Sequence, residues 1–454
     1  MSGVSGKGLN SILELSLRML EKYPLCDNCL GRQFAFLGFG IDNSERGRSM
    51  KMTLTIAAHE MALSKENRVR GKGMAILKVL STNGSFKVAR DLLKKLRRRV
   101  EEERECFLCG DRFKNLQPIV ESVLDKLKEY EFDDFLVGIK LPLEVEERED
   151  EFKSEFGIQY GESIKNELSR VIGREVSQRL NKPANYMKPQ IVILANPFTG
   201  EVDLQVNSLF IVGRYRKLIR GIPQSKWICI KCRGRGCERC NWTGKMYPES
   251  VEELIAKPVL ERTLGEGTSF HAAGREDRDA RMLGHGRPFV IEVKRPKRRS
   301  IDLKELEKAI NEYAEGKVEV LNLRFGDREV VRKLKDLEDA QKIYKVVVNF
   351  DREISDEEIA MLEKELTNIS IRQRTPLRVL HRRADRLREK YIYETKIKRL
   401  SENSVEMRIR CQGGLYVKEL VTGDNGRTEP SVSKIINARA EPIELDVLEV
   451  ITGR

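Results

Sequence analysis

The chain has no long apolar run. Ile191-Val192-Ile193-Leu194-Ala195 is among the longest, far short of the ~18 residues a membrane-spanning helix needs. Its first ten residues, MSGVSGKGLN, hold no apolar stretch of the kind a secretory signal carries, so neither secretion nor a membrane is expected. It contains no Gly-x-x-x-x-Gly-Lys-[Ser/Thr] string and no convincing dinucleotide fingerprint, so no organic cofactor is expected. Internal repeats and low-complexity tracts are also missing, which excludes solenoid and linker-dominated architectures.

Charge is plentiful. The 454 residues carry 84 Lys+Arg against 71 Asp+Glu, a formal net charge of +13, and 40% are hydrophobic. There is enough apolar material for real cores, at a length that suits about three domains. The excess of positive charge points to a polyanion, and without a membrane segment that means nucleic acid. Four clusters carry the charge. They are Arg214 to Trp227, the Lys231/Arg233/Arg235/Arg239/Trp242 set, Arg295 to Arg299, and Arg372 to Arg388. Arginines interleaved with rings suit phosphates and unpaired bases together. Arg216, Arg220 and Arg382 are the candidate RNA contacts from this set.

Eight of the nine cysteines form four CxxC pairs. In a chain with no secretory signal that spacing favours metal over disulfides. Cys229-x2-Cys232-x4-Cys237-x2-Cys240 offers four thiolates, a closed tetrahedron suited to structural zinc. A lone CxxC supplies half a site, so Cys26/Cys29 and Cys106/Cys109 are expected to share a second zinc. Cys411, unpaired in a strand-like run, is expected in a core.

The pattern of elements is α+β. Helices are expected over Leu9–Tyr23, Val88–Glu103, Ile119–Tyr130 and Glu162–Leu180. Strands are expected at Phe135–Leu141, Gln190–Asn196, Glu201–Asn207 and Leu209–Tyr215. Asp302-x-x-Glu305 and Ser355-x-x-Glu358 are capping signals for two later helices, surrounded by strand-like runs ending at Ile443–Ile451. The expected organisation is a helical metal-containing region at 1–117, an α/β RNA-binding module at 118–222, the cysteine knot and linker at 223–248, and a catalytic domain at 249–454.

The densest polar segment is Phe270 to Phe289. Its Gly274-Arg275-Glu276-Asp277 resembles the Gly-Arg-x-Asp loop of pseudouridine synthases. The wider strings AAGREDRDARMLGHGRPF, RYRKLIRGIPQSKW, RTPLRVLHRRADR, GGLYVKELVTGDNGRTEPS and IELDVLEV, with CDNCLGRQF and CFLCG upstream, resemble the tRNA pseudouridine synthases that carry an N-terminal zinc and THUMP module, in particular the archaeal branch. The resemblance implies an N-terminal zinc-binding THUMP-like module followed by a catalytic domain with a mixed, largely antiparallel sheet. It implies conversion of uridine to pseudouridine at positions 54 and/or 55 in the T arm of tRNA, in an archaeal cytoplasm, with two structural zinc ions. No obligate protein partner is indicated.

By the same resemblance Asp277 is the catalytic carboxylate, as nucleophile or as base. Asp279 is its neighbour, but the Gly-Arg-x-Asp phase selects Asp277. Tyr344 packs on the target base, Lys418 pairs with the carboxylate, Val417 and Leu445 wall the pocket, and Arg275 helps displace the base. The competing readings are a zinc-containing tRNA- or rRNA-binding protein without catalysis, and a THUMP-bearing methyltransferase or sulfur transferase. The first leaves the ordered Asp277, Tyr344 and Lys418 unexplained. The second lacks its donor-binding loop.

Overall fold

The computed structural model describes residues 10–336 and 340–451. Two compact units divide the chain, Met1–Asn207 and Ser208–Arg454. No helix among the described residues is long and apolar enough to cross a membrane.

The first unit opens with helices Asn10–Lys22, Asn43–Ala62, Asn67–Thr82 and Lys87–Lys95. The turn bearing Cys26 and Cys29 lies hard against helix Asn43–Ala62. A Cβ on Gly31 would sit 1.8 Å from the Asn43 carbonyl oxygen, and one on Gly47 2.0 Å from that of Asp27, so both positions need glycine. Lys51, fully buried, donates to the carbonyls of Leu25 and Gly84 and to Asp27, tying this turn down. The helix expected to run from Val88 to Glu103 stops at Lys95. Arg97 takes a left-handed φ of 52°, and the Arg97 and Arg98 amides close back on the carbonyls of Lys94 and Leu93 at 3.0 and 2.9 Å, the pattern that ends a helix at a left-handed residue.

Helix Gln117–Leu127 then leads into a small sheet. Strands β1 (Phe135–Ile139), β2 (Ile191–Ala195) and β3 (Val202–Val206) pair in that order, β1 parallel to β2 and β2 antiparallel to β3. Helices Leu143–Phe156 and Ile164–Leu180 fill the crossover. The second starts on the Ser163 hydroxyl, which accepts the Asn166 amide. Between β2 and β3 the Pro-Phe-Thr-Gly turn closes on Asn196, whose Oδ1 accepts the amides of Phe198 and Thr199.

Leu209–Tyr215 does not join that sheet. It extends to Lys217 as β4, and its partners lie in the second unit, so the boundary falls at Asn207 rather than at 222. The second unit is one ten-stranded sheet. Its remaining strands are β5 (Gly267–Ala272), β6 (Arg281–Lys294), β7 (Val318–Gly326), β8 (Lys342–Phe350), β9 (Ile369–Arg374), β10 (Leu387–Ser401), β11 (Ser404–Cys411), β12 (Thr428–Glu429) and β13 (Ala440–Val450). The order is β12-β9-β10-β11-β8-β13-β6-β4-β7, with β5 also on β6. All pairs are antiparallel except β13 with β6. The sheet is mixed and largely antiparallel, as the family resemblance implies. Ser355 and Glu358 form the expected reciprocal cap on helix Asp356–Glu365.

Where β13 lies between β8 and β6, Asp446 stands opposite Lys345 and Arg281. The Asp446 side chain is fully buried and takes Arg281 at 2.8 and 3.0 Å and Arg220 at 2.6 Å. Burial pushes its carboxyl upward, but Arg281 and Arg220 outweigh this and hold it below the usual range. The pair of strands that floors the site is thus locked by charge as well as by backbone bonds.

Candidate active site

A cavity of about 710 Å³ opens beside these strands, a size suited to a nucleoside. Its lining includes Asp277, Tyr344, Val417, Lys418, Leu445 and Arg275, so six of the residues singled out in the sequence converge on one space. Asp277 is contributed by the loop between β5 and β6, Tyr344 by β8, and Leu445 by β13. Val417 and Lys418 begin helix Val417–Thr422. Val447 and Arg378 line the cavity too.

The backbone of the loop that bears Asp277 is set from beneath. Glu276 is held in a buried cluster, where Arg287 donates to it at 2.9 Å and the Tyr215 hydroxyl at 2.9 and 3.0 Å. Gln224 donates to the Tyr215 oxygen at 2.6 Å and to the Gly274 carbonyl at 3.1 Å. Arg287 also donates to the Ala273 carbonyl at 2.7 Å. Arg275 and Asp277, the neighbours of Glu276, line the cavity with it. Gly274 adopts φ +81°, and a Cβ there would meet Arg287 and Lys342 at 3.1 Å, which gives the loop's glycine a steric reason.

Lys217 completes this support. It is fully buried, and its Nζ donates to the carbonyls of Ile222, Asp277 and Arg278, each at 3.0 Å. Burial lowers its pKa to about 8, against the pull of Glu276, Asp279 and Asp277, with Arg287 adding to the lowering. Losing the proton removes a donor from the Asp277 carbonyl, so turnover should fall as pH rises through about 8. The effect on stability has the opposite sign. An unfolded lysine titrates near 10.5, so this group's penalty on folding is full below about 8 and is relieved between there and 10.5. A turnover profile that stays flat through pH ~9 would contradict the functional half of this expectation.

The carboxylate itself sits between two cations. Arg378 Nη2 is 3.1 Å from Asp277 Oδ2, and Lys418 Nζ is 3.5 Å from the same oxygen. Lys418 is closer to Asp279, at 2.6 and 2.8 Å. It therefore spans both acids instead of serving Asp277 alone, and Arg378 is the nearer cation to Asp277. Burial pushes Asp279 up, but Lys418 outweighs it and holds the carboxyl low. Arg378 is itself aimed by Glu419, which it meets at 2.6 Å. A carboxylate placed between two cations suits a nucleophile or base. Tyr344 is packed deep enough that burial pushes its phenol pKa up. Arg378→Lys should slow turnover on the order of tenfold, because an ammonium cannot reach Glu419 and Asp277 together. A single-turnover rate equal to the parent's would show that Arg378 does not set the carboxylate.

Three basic candidates lie elsewhere. Arg216 donates to the Gly284 carbonyl and pairs with Glu319 at 2.8 Å, on the β4 side of the sheet and away from the cavity lining. Arg220 staples the floor, donating to the carbonyls of Asp279 and Leu445 and to Asp446. Both side chains are engaged within the protein in this structure. Arg382 ends the turn Leu377–Arg382, and its side chain lies outside the described residues.

The cysteines gather into two sets, Cys26/Cys29/Cys106/Cys109 and Cys229/Cys232/Cys237/Cys240, each with all four sulfurs within 4.8 Å of one another. Either set could hold a metal ion. Each lies within a single unit. Backbone amides point at the sulfurs, Cys29 N at Cys26 Sγ (3.4 Å), and Gly236 N and Gly244 N at Cys232 and Cys240 Sγ (3.3 Å each). Cys411 is buried in β11.

Comparison with known proteins agrees with this geometry. The family model described as "Pus10, C-terminal" matches residues 210–451, and "Pus10 THUMP domain, archaeal" matches 119–196. The tRNA pseudouridine synthase Pus10 of Methanocaldococcus jannaschii is 45% identical, over 96% of this chain and 94% of that protein. The protein of the same name from Methanothrix thermoacetophila is 40% identical, over 97% and 95%. Among solved structures, a chain of a Cbf5-Nop10-Gar1 complex covers 53% of this chain and 48% of that one at 14% identity and a TM-score of 0.31, too loose to argue from. On the two family matches and the near-complete relatives, the chain belongs to the Pus10 family of tRNA pseudouridine synthases.

Proposed function

We propose that this enzyme converts uridine to pseudouridine at position 54 and/or 55 in the T arm of tRNA, with Asp277 as the reacting carboxylate. The observation that carries the reading is the placement of Asp277 in the cavity between Arg378 and Lys418. The reaction breaks the bond from C1′ to N1, turns the uracil, and joins C1′ to C5. N1 gains a proton and C5 loses one, with no net redox change. Asp277 acts as nucleophile at C1′ or as base toward the sugar, Tyr344 packs on the uracil, and Val417 and Leu445 close the apolar wall. Arg275 helps draw the base from its stack, an exchange that costs roughly a few kcal/mol and is offset by new contacts. The T-arm positions rest on the resemblance of the motif strings.

We take both cysteine sets as structural zinc sites. Tetrahedral thiolates about 2.3 Å from zinc would lie about 3.8 Å apart, and the sulfur pairs measured are 3.7 Å for Cys26–Cys109 and 3.9, 3.8 and 3.7 Å in the second set. Zinc with four thiolates has no open position, so it would hold chain segments together and leave the chemistry to Asp277. The helical region to about 117 and the THUMP module that follows would grip tRNA by shape and charge, in the cytoplasm.

The test is tritium release from tRNA carrying [5-³H]uridine, since only attack through C5 frees that label. Release that disappears when U54 or U55 of the T arm is changed to cytidine supports the reading. Release unaffected by both changes would move the target elsewhere.

A further inference from the structure

Two arginine–ring pairs line the cavity, and the reading above leaves both rings unused. Arg275, two residues before Asp277, lies over the Trp227 ring at 5.2 Å. Arg278, one residue after it, lies over the Tyr247 ring at 5.2 Å. The two rings meet edge to face, 5.5 Å apart at 69°. All four residues line the cavity.

Neither ring belongs to the ten-stranded sheet. They are the two feet of the Cys229–Cys240 knot, one just before it and one just after. A short antiparallel bridge joins Ile228 to Lys245, the Met246 amide donates to the Trp227 carbonyl at 2.8 Å, and the Cys229 amide donates to that of Gly244 at 2.8 Å. Below, the feet are fixed to the start of helix Val251–Thr263. Lys245 Nζ meets Glu253 at 2.7 Å, and the Lys226 amide meets Glu252 at 3.2 Å. That helix packs into the core through Val251, Leu254, Ile255 and Val259. The knot is therefore a rigid bracket whose inner edge presents two aromatic faces to the loop.

We propose that the cysteine knot is a positioning element for the reacting loop. Trp227 and Tyr247 hold Arg275 and Arg278 by cation–π contact, and so fix the Asp277 segment between them before RNA arrives. This rests on the reading of Asp277 as the reacting carboxylate. Exposed arginines are otherwise rotamer-rich, and the loop would have to be ordered at each encounter. The buried Glu276 network and Lys217 fix the loop from below, and the rings fix it from the solvent side. Trp227 and Tyr247 act on Asp277 only through Arg275 and Arg278, which makes them positioning residues.

The test compares the Trp227→Leu/Tyr247→Leu double variant, which keeps apolar bulk without a π face, with Trp227→Phe/Tyr247→Phe, which keeps the face. Metal content and tRNA affinity are measured alongside single-turnover rates, with Asp277→Asn as reference. The Leu pair should lose on the order of tenfold in rate with little change in tRNA affinity or metal content, and the Phe pair should recover most of it. If the Leu pair does not fold, Tyr247→Leu alone should show a smaller loss of the same kind. A parental rate in the Leu pair beside an inactive Asp277→Asn would overturn the positioning role and leave the site intact. So would a loss confined to tRNA affinity, or one the Phe pair does not recover. Turnover by Asp277→Asn would instead overturn the site itself.

Discussion

Asp277→Asn should lower the single-turnover rate by at least about 10³-fold while leaving tRNA affinity nearly unchanged. The substitution keeps the side chain's shape and removes its charge. Asp277 is partly exposed, and its loop is held through backbone carbonyls and the buried Glu276 cluster, so the fold should survive. The companion Asp279→Asn should do much less. That residue takes the closer contacts from Lys418, and its loss would turn Lys418 toward Asp277. Binding lost together with turnover in Asp277→Asn would make the residue structural. An inactive Asp279→Asn beside an active Asp277→Asn would mean that the Gly-Arg-x-Asp phase had picked the wrong acid.

The second large effect concerns the first unit. Cys29 and Cys109 are fully buried, and their set joins the first CxxC turn to the segment after the basic helix. Cys29→Ser or Cys109→Ser should remove one metal ion per chain and destabilise residues up to 207 by several kcal/mol, since a closed thiolate site contributes its binding energy to folding. Arg32 adds to the sensitivity. It is buried beside Cys29, with Glu149 as ion-pair partner, and its charge opposes that of the thiolates. Elemental analysis should give about two zinc atoms per parent chain and about one per variant. A variant that keeps parental stability with one zinc fewer would make this set dispensable to the fold, and a parent with no zinc would remove both sites.

Much of the site was legible because its chemistry lies in contiguous strings. Gly274 to Asp277 and Val417-Lys418 are local patterns, and the spacing of four CxxC pairs marks the cysteines that gather into two sets. What escaped depends on pairing across the sheet. Arg378 sits in a cluster of basic residues, and nothing in the string singles it out. Only the fold brings it to Asp277. Glu276 and Lys217 were invisible for a different reason. Charged residues usually read as surface, and their burial follows from partners far along the chain, Arg287 and Tyr215 for one and three carbonyls for the other. Arg216 and Arg220 stand in a basic run next to rings, and their pairing with Glu319 and Asp446 is not visible in that string. The assignment of β4 itself failed because alternation reveals a strand but not the sheet it joins.

The most direct test is pseudouridine mapping on an unmodified tRNA transcript, using purified protein and no added cofactor. The account predicts new pseudouridine in the T arm, at 54, 55 or both, and none with Asp277→Asn. A transcript that is bound but left unmodified would contradict it and leave a tRNA-binding protein in which Asp277 is one partner of a surface salt bridge.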